Sequence, residues 1–525
     1  MSIVKQPNKK TGVIYVYESV AYWDKEKKQA RAKRKLIGIL DPITQEVVPT
    51  KKRNKANKEE NISKDSRYFY GATYLFDKIA ENIGLSKDLE NCFGKDYKKI
   101  LSIAYYLVLE DKNTLSRFNK WASLHKHPAN NSMSSQRISE LFSSITEDTK
   151  NRFFRLQAKR RVEKEYIAYD TTSISSYSKC LNQIKYGVNK EHDMLAQINL
   201  ALLFGQESNL PFYYRKLSGN IPDVVTVKKL LSDMSFLGFD KVKLVMDRGF
   251  YSFSNINSLY KNHLKFLIAG KLSLKIVQDA IDSIRQDITQ WQYYSSDYNL
   301  YAKSLPIAWH YSLKRPYKKD ELKEEKRMYM HIYYSKERAI DKENAFNMFL
   351  SALKEELLSK DIKKEHQKQY EKYFEVSANK SIKITPKEDS IADTMKNYGF
   401  FVLLSNDIKD SIEALEIYRN KDLVEKAFGD LKERLNFRRL LVSSEQSLDG
   451  KLFVEFIALI ILSYIKKKMQ EAKLFKNYTM QELLDEFDII ECFEQPNKKL
   501  YIGEITQKQI QLYEMLGVKP PISLQ

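Results

Sequence analysis

The chain has 525 residues, enough for three or four domains and a core that needs no covalent staple. Its 88 Lys and Arg against 68 Asp and Glu leave a formal charge of +20, which draws polyanions, and 43% hydrophobic with 12% aromatic residues excludes a disordered chain. Only Cys92, Cys180 and Cys492 occur, so a disulfide scaffold and a cysteine-rich zinc module are excluded and a reducing cytoplasm is expected.

The opening MSIVKQPNKKTGVIYVYES lacks the apolar run and small-residue cleavage site of an export signal. Alternation predicts two strands, Val13–Trp23 and Ala30–Leu40, as a small β element within residues 1–60. The charged stretch Lys51–Glu60 closes it as a basic linker. Residues 61–164 turn helical, with apolar residues three and four apart and Ser135 as an N-cap. The basic run Gln157–Lys164 ends this segment. It reads as a DNA-binding helical module or as a plain bundle.

From Glu165 the pattern becomes α/β. Strands are expected at EYIAYD (165–170), AQINLALLF (196–204), FYYRKL (212–217), KVKLVMD (241–247) and KFLIAG (265–270). Helices are expected at 225–238 and 254–262, between the later strands. Three strands, then helix, strand, helix and strand is the opening order of a ribonuclease-H-like domain. Residues 271–397 interrupt it as a β-rich insertion, with strands at YMHIYYS and SIKIT and a helix over Glu337–Leu357. YGFFVLLSN returns to the sheet within a second core segment, 398–475. A long helix is expected over Asp410–Leu435, and residues 476–525 form a tail. The longest apolar run, Leu452–Ile465, has 14 residues and contains Glu455. A membrane span needs about 20, so this run predicts a buried helix and no membrane partner.

Two predicted strands end on an aspartate, Asp170 and Asp247, each followed by small or turn-forming residues. Open α/β sheets do their chemistry at strand ends. Two carboxylates held side by side repel unless a cation lies between them, and oxygen donors suit Mg²⁺ or Mn²⁺. At 100° per residue, Tyr418, Lys421, Glu425 and Lys432 fall on one stripe beside an apolar stripe of Val424, Ala427, Phe428, Leu431 and Leu435. An ordinary solvated face with i,i+4 pairs has the same appearance.

That spacing resembles the Y-R-E-K signature of bacterial insertion-sequence transposases of the insertion-sequence-four type, members of the DDE group. The blocks YIAYDTTSISSYS, LPFYYRKLSGNIPDVVTVKKLL and VKLVMDRGFYSFSNINSL resemble the family's two aspartate regions. One departure is Lys421 where the signature has arginine. Lysine keeps the charge and loses the bidentate fork. The resemblance implies Asp170, Asp247 and Glu425 as the catalytic, metal-holding triad, with Mg²⁺ as cofactor and Mn²⁺ as substitute. It implies Tyr418, Lys421, Lys432 and Arg248 as contacts to DNA. It also makes Trp291 a candidate to stack on a flipped base, although a core tryptophan is the commoner situation. The implied partners are double-stranded DNA, as terminal inverted repeats and target, and a second copy of the chain. The implied place is the bacterial cytoplasm, on the nucleoid when DNA is bound. A ribonuclease-H-like nuclease and a catalytically dead DNA-binding descendant are the alternatives. His192 could approach the site, and the His125-x-His127 pair lacks further ligands for zinc.

Overall fold

The computed structural model describes residues 2–8, 12–24, 29–42, 44–49, 66–110, 114–160, 165–178, 181–190, 194–239, 241–315, 320–377, 383–437, 440, 442, 444–495 and 499–522. Lys51–Glu60, His192 and the end of the basic run at 161–164 lie outside the described residues. Two compact units are present: Met1–Ser66 with Gln495–Lys499, and Arg67–Glu494 with Leu500–Gln525.

The first unit is a four-stranded antiparallel sheet of Ser2–Pro7, Ile14–Asp24, Gln29–Leu40 and Val47–Val48, in that order. The two long strands fall where alternation predicts them. Ser2–Pro7 carries no such signal because its residues are almost all exposed.

The second unit is built on a nine-stranded sheet. Its strands are β1 (Tyr166–Ser175), β2 (Gln197–Gly205), β3 (Leu210–Ser218), β4 (Lys243–Met246), β5 (Lys265–Ala269), β6 (Tyr294–Ser295), β7 (Leu300–Arg315), β8 (Asp320–Tyr334) and β9 (Phe400–Ser405). Their order is β6-β7-β8-β9-β5-β4-β1-β2-β3. β1, β2 and β3 form an antiparallel meander, and β4 and β5 add in parallel on the other side of β1. Helices α1 (Asp223–Leu237) and α2 (Phe253–Lys261) make the crossovers. This is the ribonuclease-H-like arrangement predicted from the strand order.

The segment 271–397 differs from the expected β-rich insertion. Its long strands β7 and β8 extend the main sheet through β9, with Tyr329 opposite Ser405 and Tyr334 opposite Phe400. The reason is burial: Met328, Met330 and Ile332 alternate along one face of β8 and join the central core. What stands apart is mostly helical. α3 (Lys336–Ser359) packs Phe346, Leu353 and Leu357 on Tyr370, Tyr373, Phe374 and Ile391 as a small separate core. A hairpin of Phe374–Ser377 and Lys383–Pro386 completes it.

The helix expected over Asp410–Leu435 is broken. α4 (Ser411–Arg419) and α5 (Asp422–Gly429) meet at Asn420–Lys421, and a π turn follows over Asp430–Arg434. At the break, the Lys421 and Leu423 N–H groups donate to the carbonyls three residues earlier, so the chain tightens locally. The apolar run Leu452–Ile465 is the centre of α6 (Glu445–Glu471), which is buried on nearly every side. Among the described residues no helix is long and apolar enough to cross a membrane.

The helical segment expected at 61–164 shares this core instead of standing apart. Ten consecutive residues, Ile100–Leu109, are buried in helix Tyr97–Leu109, and Phe154 packs its ring against Tyr213, Tyr214 and Phe456. Helix Ser135–Ser144 crosses α6 so closely that a Cβ on Gly450 would lie 2.1 Å from the Phe142 carbonyl. Its N-cap is Ser134, whose hydroxyl accepts from the Arg137 N–H; the predicted cap, Ser135, is the first helical residue. His125 is buried beside Asp488, and His127 donates to or accepts from the Ser102 hydroxyl, so both imidazoles serve the packing of this module. The tail folds back on the same helices, where the Tyr513 hydroxyl donates to the Gly71 carbonyl at 2.9 Å.

Candidate functional site

The parallel register of β1 and β4 sets Tyr169 opposite Met246, so Asp170 and Asp247 follow at matching positions on neighbouring strands. Only the parallel side stops there. β1 itself continues to Ser175 against β2, five residues beyond the strand end predicted at Asp170. The Thr171 N–H donates to Asp170 Oδ1 at 2.8 Å, and the Arg248 N–H donates to Asp247 Oδ1 at 2.7 Å. Each aspartate is thus oriented by the backbone that follows it.

The break between α4 and α5 delivers the other groups. From the end of α4, the Tyr418 hydroxyl donates to Asp247 Oδ1 at 2.9 Å. From the start of α5, the buried Lys421 ammonium lies 2.6 Å from Glu425 Oε1. Burial opposes the charge on Lys421. The hydrogen bond to Glu425 and the charges of Asp170, Glu425 and Asp247 outweigh it, and hold the ammonium above its ordinary pKa. Asp170 is raised above the usual carboxylate range chiefly by burial, against the pull of Lys190 and Lys421. The Tyr418 phenol is raised by burial and then by Asp247. Lys421 is therefore the cation shared by the three carboxylates.

Other predicted residues fall at different distances. Arg248 is exposed beside Asp247 and lines a cavity of about 810 Å³ with Asp247 and Tyr418. That cavity carries Lys271, Arg338 and Lys342 as further basic side chains, and Arg338 lies over the Phe401 ring at 4.8 Å. Lys432 sits in the π turn, where the 100° spacing no longer holds, and is not among the cations that act most strongly on Asp170 or Tyr418. Trp291 is not a core residue: it is 87% exposed at the start of a single 3-10 turn.

Two residues at the site escape sequence reasoning. Lys190 Nζ is 3.7 Å from Asp170 Oδ1 and 3.2 Å from Asp223 Oδ2, and the Thr171 hydroxyl donates to Asp223 Oδ1. Asp223 opens α1 within the block LSGNIPD, and its place at a helix start is the one local signal it offers. Lys190 offers none, since a loop brings it there.

The donors are all oxygen, which suits Mg²⁺ or Mn²⁺ over zinc. The burial of Asp170 adds a demand for nearby positive charge, and Lys421 and Lys190 meet it here. As they stand, no three carboxylate, imidazole or thiolate groups among the described residues come together closely enough to hold a metal ion. Glu425 instead accepts from the Lys421 ammonium.

Residues 163–461, more than half of the chain, match the family described as the transposase DDE domain. The chain belongs to the transposase DDE family. The matched span takes in Asp170, Lys190, Asp223, Asp247, Lys421 and Glu425 of this transposase. Among solved structures, similarity is found to a piggyBac transposase synaptic complex with hairpin DNA, at 9% identity and a TM-score of 0.36 over 80% of this chain and 78% of that one. No curated protein sequence matches.

Proposed function

We propose that this transposase is of the insertion-sequence-four type, nicks DNA at the ends of an insertion sequence and joins the freed 3′-OH to target DNA. Asp170, Asp247 and Glu425 would hold Mg²⁺, with Mn²⁺ as a substitute. The observation that carries the reading is the matched placement of Asp170 and Asp247 on adjacent parallel strands, with Lys421 acting on both and bonded to Glu425. Divalent ions held there supply activation of the attacking oxygen and stabilisation of the leaving oxygen in an in-line displacement.

The protein's own groups do the rest. Tyr418 fixes the rotamer of Asp247. Lys421 neutralises the carboxylates before substrate arrives and turns to a DNA phosphate afterwards, releasing Glu425. Arg248, Lys271, Arg338 and Lys342 present cations to the strand beside Asp247. Lys432 and the exposed Trp291 contact DNA further out. In the first step a water oxygen bonds to phosphorus and the 3′ oxygen leaves as a hydroxyl. In the second that hydroxyl oxygen bonds to a target phosphorus and the target's own 3′ oxygen leaves as a hydroxyl. Phosphodiester bonds are exchanged, so no nucleotide triphosphate is consumed. Two ends must be held together, which calls for a homodimer acting on the nucleoid.

The test uses labelled duplex DNA bearing the element's ends, with Mg²⁺, Mn²⁺ or Ca²⁺, and compares the wild type with Glu425→Ala. Nicking and joining by the wild type in Mg²⁺ or Mn²⁺, with binding alone by the variant, supports the proposal. Nicking without joining indicates a nuclease. Binding without cleavage by both proteins indicates a DNA-binding descendant and sinks the proposal.

A further inference from the structure

The pair Lys190–Asp223 links the two aspartate-bearing elements. The loop that carries Lys190 is strapped to the sheet. The Lys190 N–H donates to Ser173 Oγ at 3.4 Å, Asn189 Nδ2 to Ser175 Oγ at 3.1 Å, and the Gln197 amide to the Val188 carbonyl at 3.0 Å. The ammonium donates to the Thr171 carbonyl at 2.6 Å and to Thr171 Oγ1 at 2.8 Å, next to Asp170 in sequence. Its counter-ion, Asp223, receives the Thr171 hydroxyl on one oxygen and faces Lys190 at 3.2 Å with the other. On its far side Asp223 abuts the turn after Asp247: a Cβ added to Gly249 would lie 3.5 Å from Asp223 Oδ2. One cation therefore grips the backbone just after Asp170, and its partner lies beside the turn just after Asp247.

We infer that Lys190 and Asp223 are positioning residues of the carboxylate site, acting as a neutral pair. Lys190 locks the Asp170–Thr171 segment. Asp223 cancels the Lys190 charge, so that Asp170 keeps its attraction for a divalent cation. The inference rests on the reading of Asp170 and Asp247 as metal-holding carboxylates. The physical content is a sign. Removing Lys190 leaves an extra negative charge beside Asp170, whereas neutralising Asp223 leaves an uncompensated positive charge there. A pair that served only as a mechanical brace would weaken the site in the same direction whichever member was lost.

The test is Mn²⁺ binding to the full chain without DNA, read by electron paramagnetic resonance. Lys190→Met is expected to bind Mn²⁺ at least about threefold more tightly and Asp223→Asn at least about threefold more weakly, as unit charges of opposite sign dictate. The double variant returns to within about twofold of the wild type because the two charges are removed together. Nicking falls roughly 10- to 100-fold in both single variants, as for other residues that orient metal ligands, and Lys190→Arg recovers most of it. Asp223→Asn keeps the shape of the side chain, so it reports even where Lys190→Met fails to fold. Single variants that shift affinity in the same direction, or leave it unmoved while Asp247→Asn abolishes binding, overturn the inference. Wild-type Mn²⁺ binding that Asp247→Asn leaves intact, or none at all, overturns the metal-site reading and this inference with it.

Discussion

Lys421 Nζ, at the N-cap of α5, lies 2.6 Å from Glu425 Oε1 four residues on, and the same ammonium is acted on by Asp170 and Asp247. One side-chain charge thus offsets three carboxylates. Replacing it with the similarly sized, neutral Met leaves the acids facing one another. Lys421→Met is expected to lower the melting temperature of the metal-free protein. Added Mn²⁺ should then raise the variant's melting temperature by roughly 3 °C more than the wild type's. Differential scanning fluorimetry with and without Mn²⁺ measures this, and equal metal responses would remove Lys421 from the role of internal counter-ion.

Tyr418 reaches Asp247 through one hydrogen bond of 2.9 Å. Tyr418→Phe removes the hydroxyl and keeps the ring. Loss of a partner that orients a metal ligand typically costs 10- to 100-fold, so single-turnover nicking should slow by about that factor. DNA affinity, measured by fluorescence anisotropy, should change little. A variant that binds DNA poorly and nicks normally would assign Tyr418 to DNA contact instead.

At Gly450, α6 passes close against helix Ser135–Ser144. Alanine there gains about 1 kcal/mol of helix propensity. Its Cβ, however, would sit 2.1 Å from a backbone oxygen that cannot move alone. Overpacking of this kind costs about 1–3 kcal/mol and outweighs the gain. Gly450→Ala should therefore unfold at lower urea concentration. The transition should stay single, because this helix and the sheet share one core. Two separated transitions would show that the helical module stands on its own.

His331 is fully buried on β8, opposite Leu403, and burial lowers its pKa to about 4. The unfolded chain binds that proton near pH 6.5 and the folded chain does not until about pH 4. Stability from this group is complete above 6.5 and declines as the pH drops toward 4. The decline approaches about 3 kcal/mol, from 1.36 kcal/mol per pH unit. His331→Leu should flatten the dependence of urea midpoint on pH in that window, and an unchanged slope would contradict the assignment.

The residues that form the site were legible to different degrees, for physical reasons. EYIAYD and KVKLVMD announce themselves because a strand buried on both faces is a continuous apolar run, and the first charge after it marks the sheet's edge. The stripe of Tyr418, Lys421 and Glu425 was also readable, since they remain close in space although the helix breaks among them. The same arithmetic does not place Lys432, because it assumes an unbroken helix where a π turn lies over Asp430–Arg434. The role of β7 and β8 in the main sheet was not readable locally. It depends on Tyr329 pairing with Ser405 across the whole helical excursion. Lys190 and Asp223 were invisible for a like reason: only tertiary folding brings a loop and a helix start to the two strand ends.

The bond from Tyr513 to the Gly71 carbonyl spans 442 residues of sequence. At synthesis rates of roughly 5–20 residues per second, the first helix of the module waits about 20–90 s for the aromatic ring that covers it. During that interval the Gly71–Tyr74 end of the helix lacks its aromatic cover. Completion of this core therefore waits on synthesis of helix Gln507–Met515, well after the residues of the carboxylate site have been made.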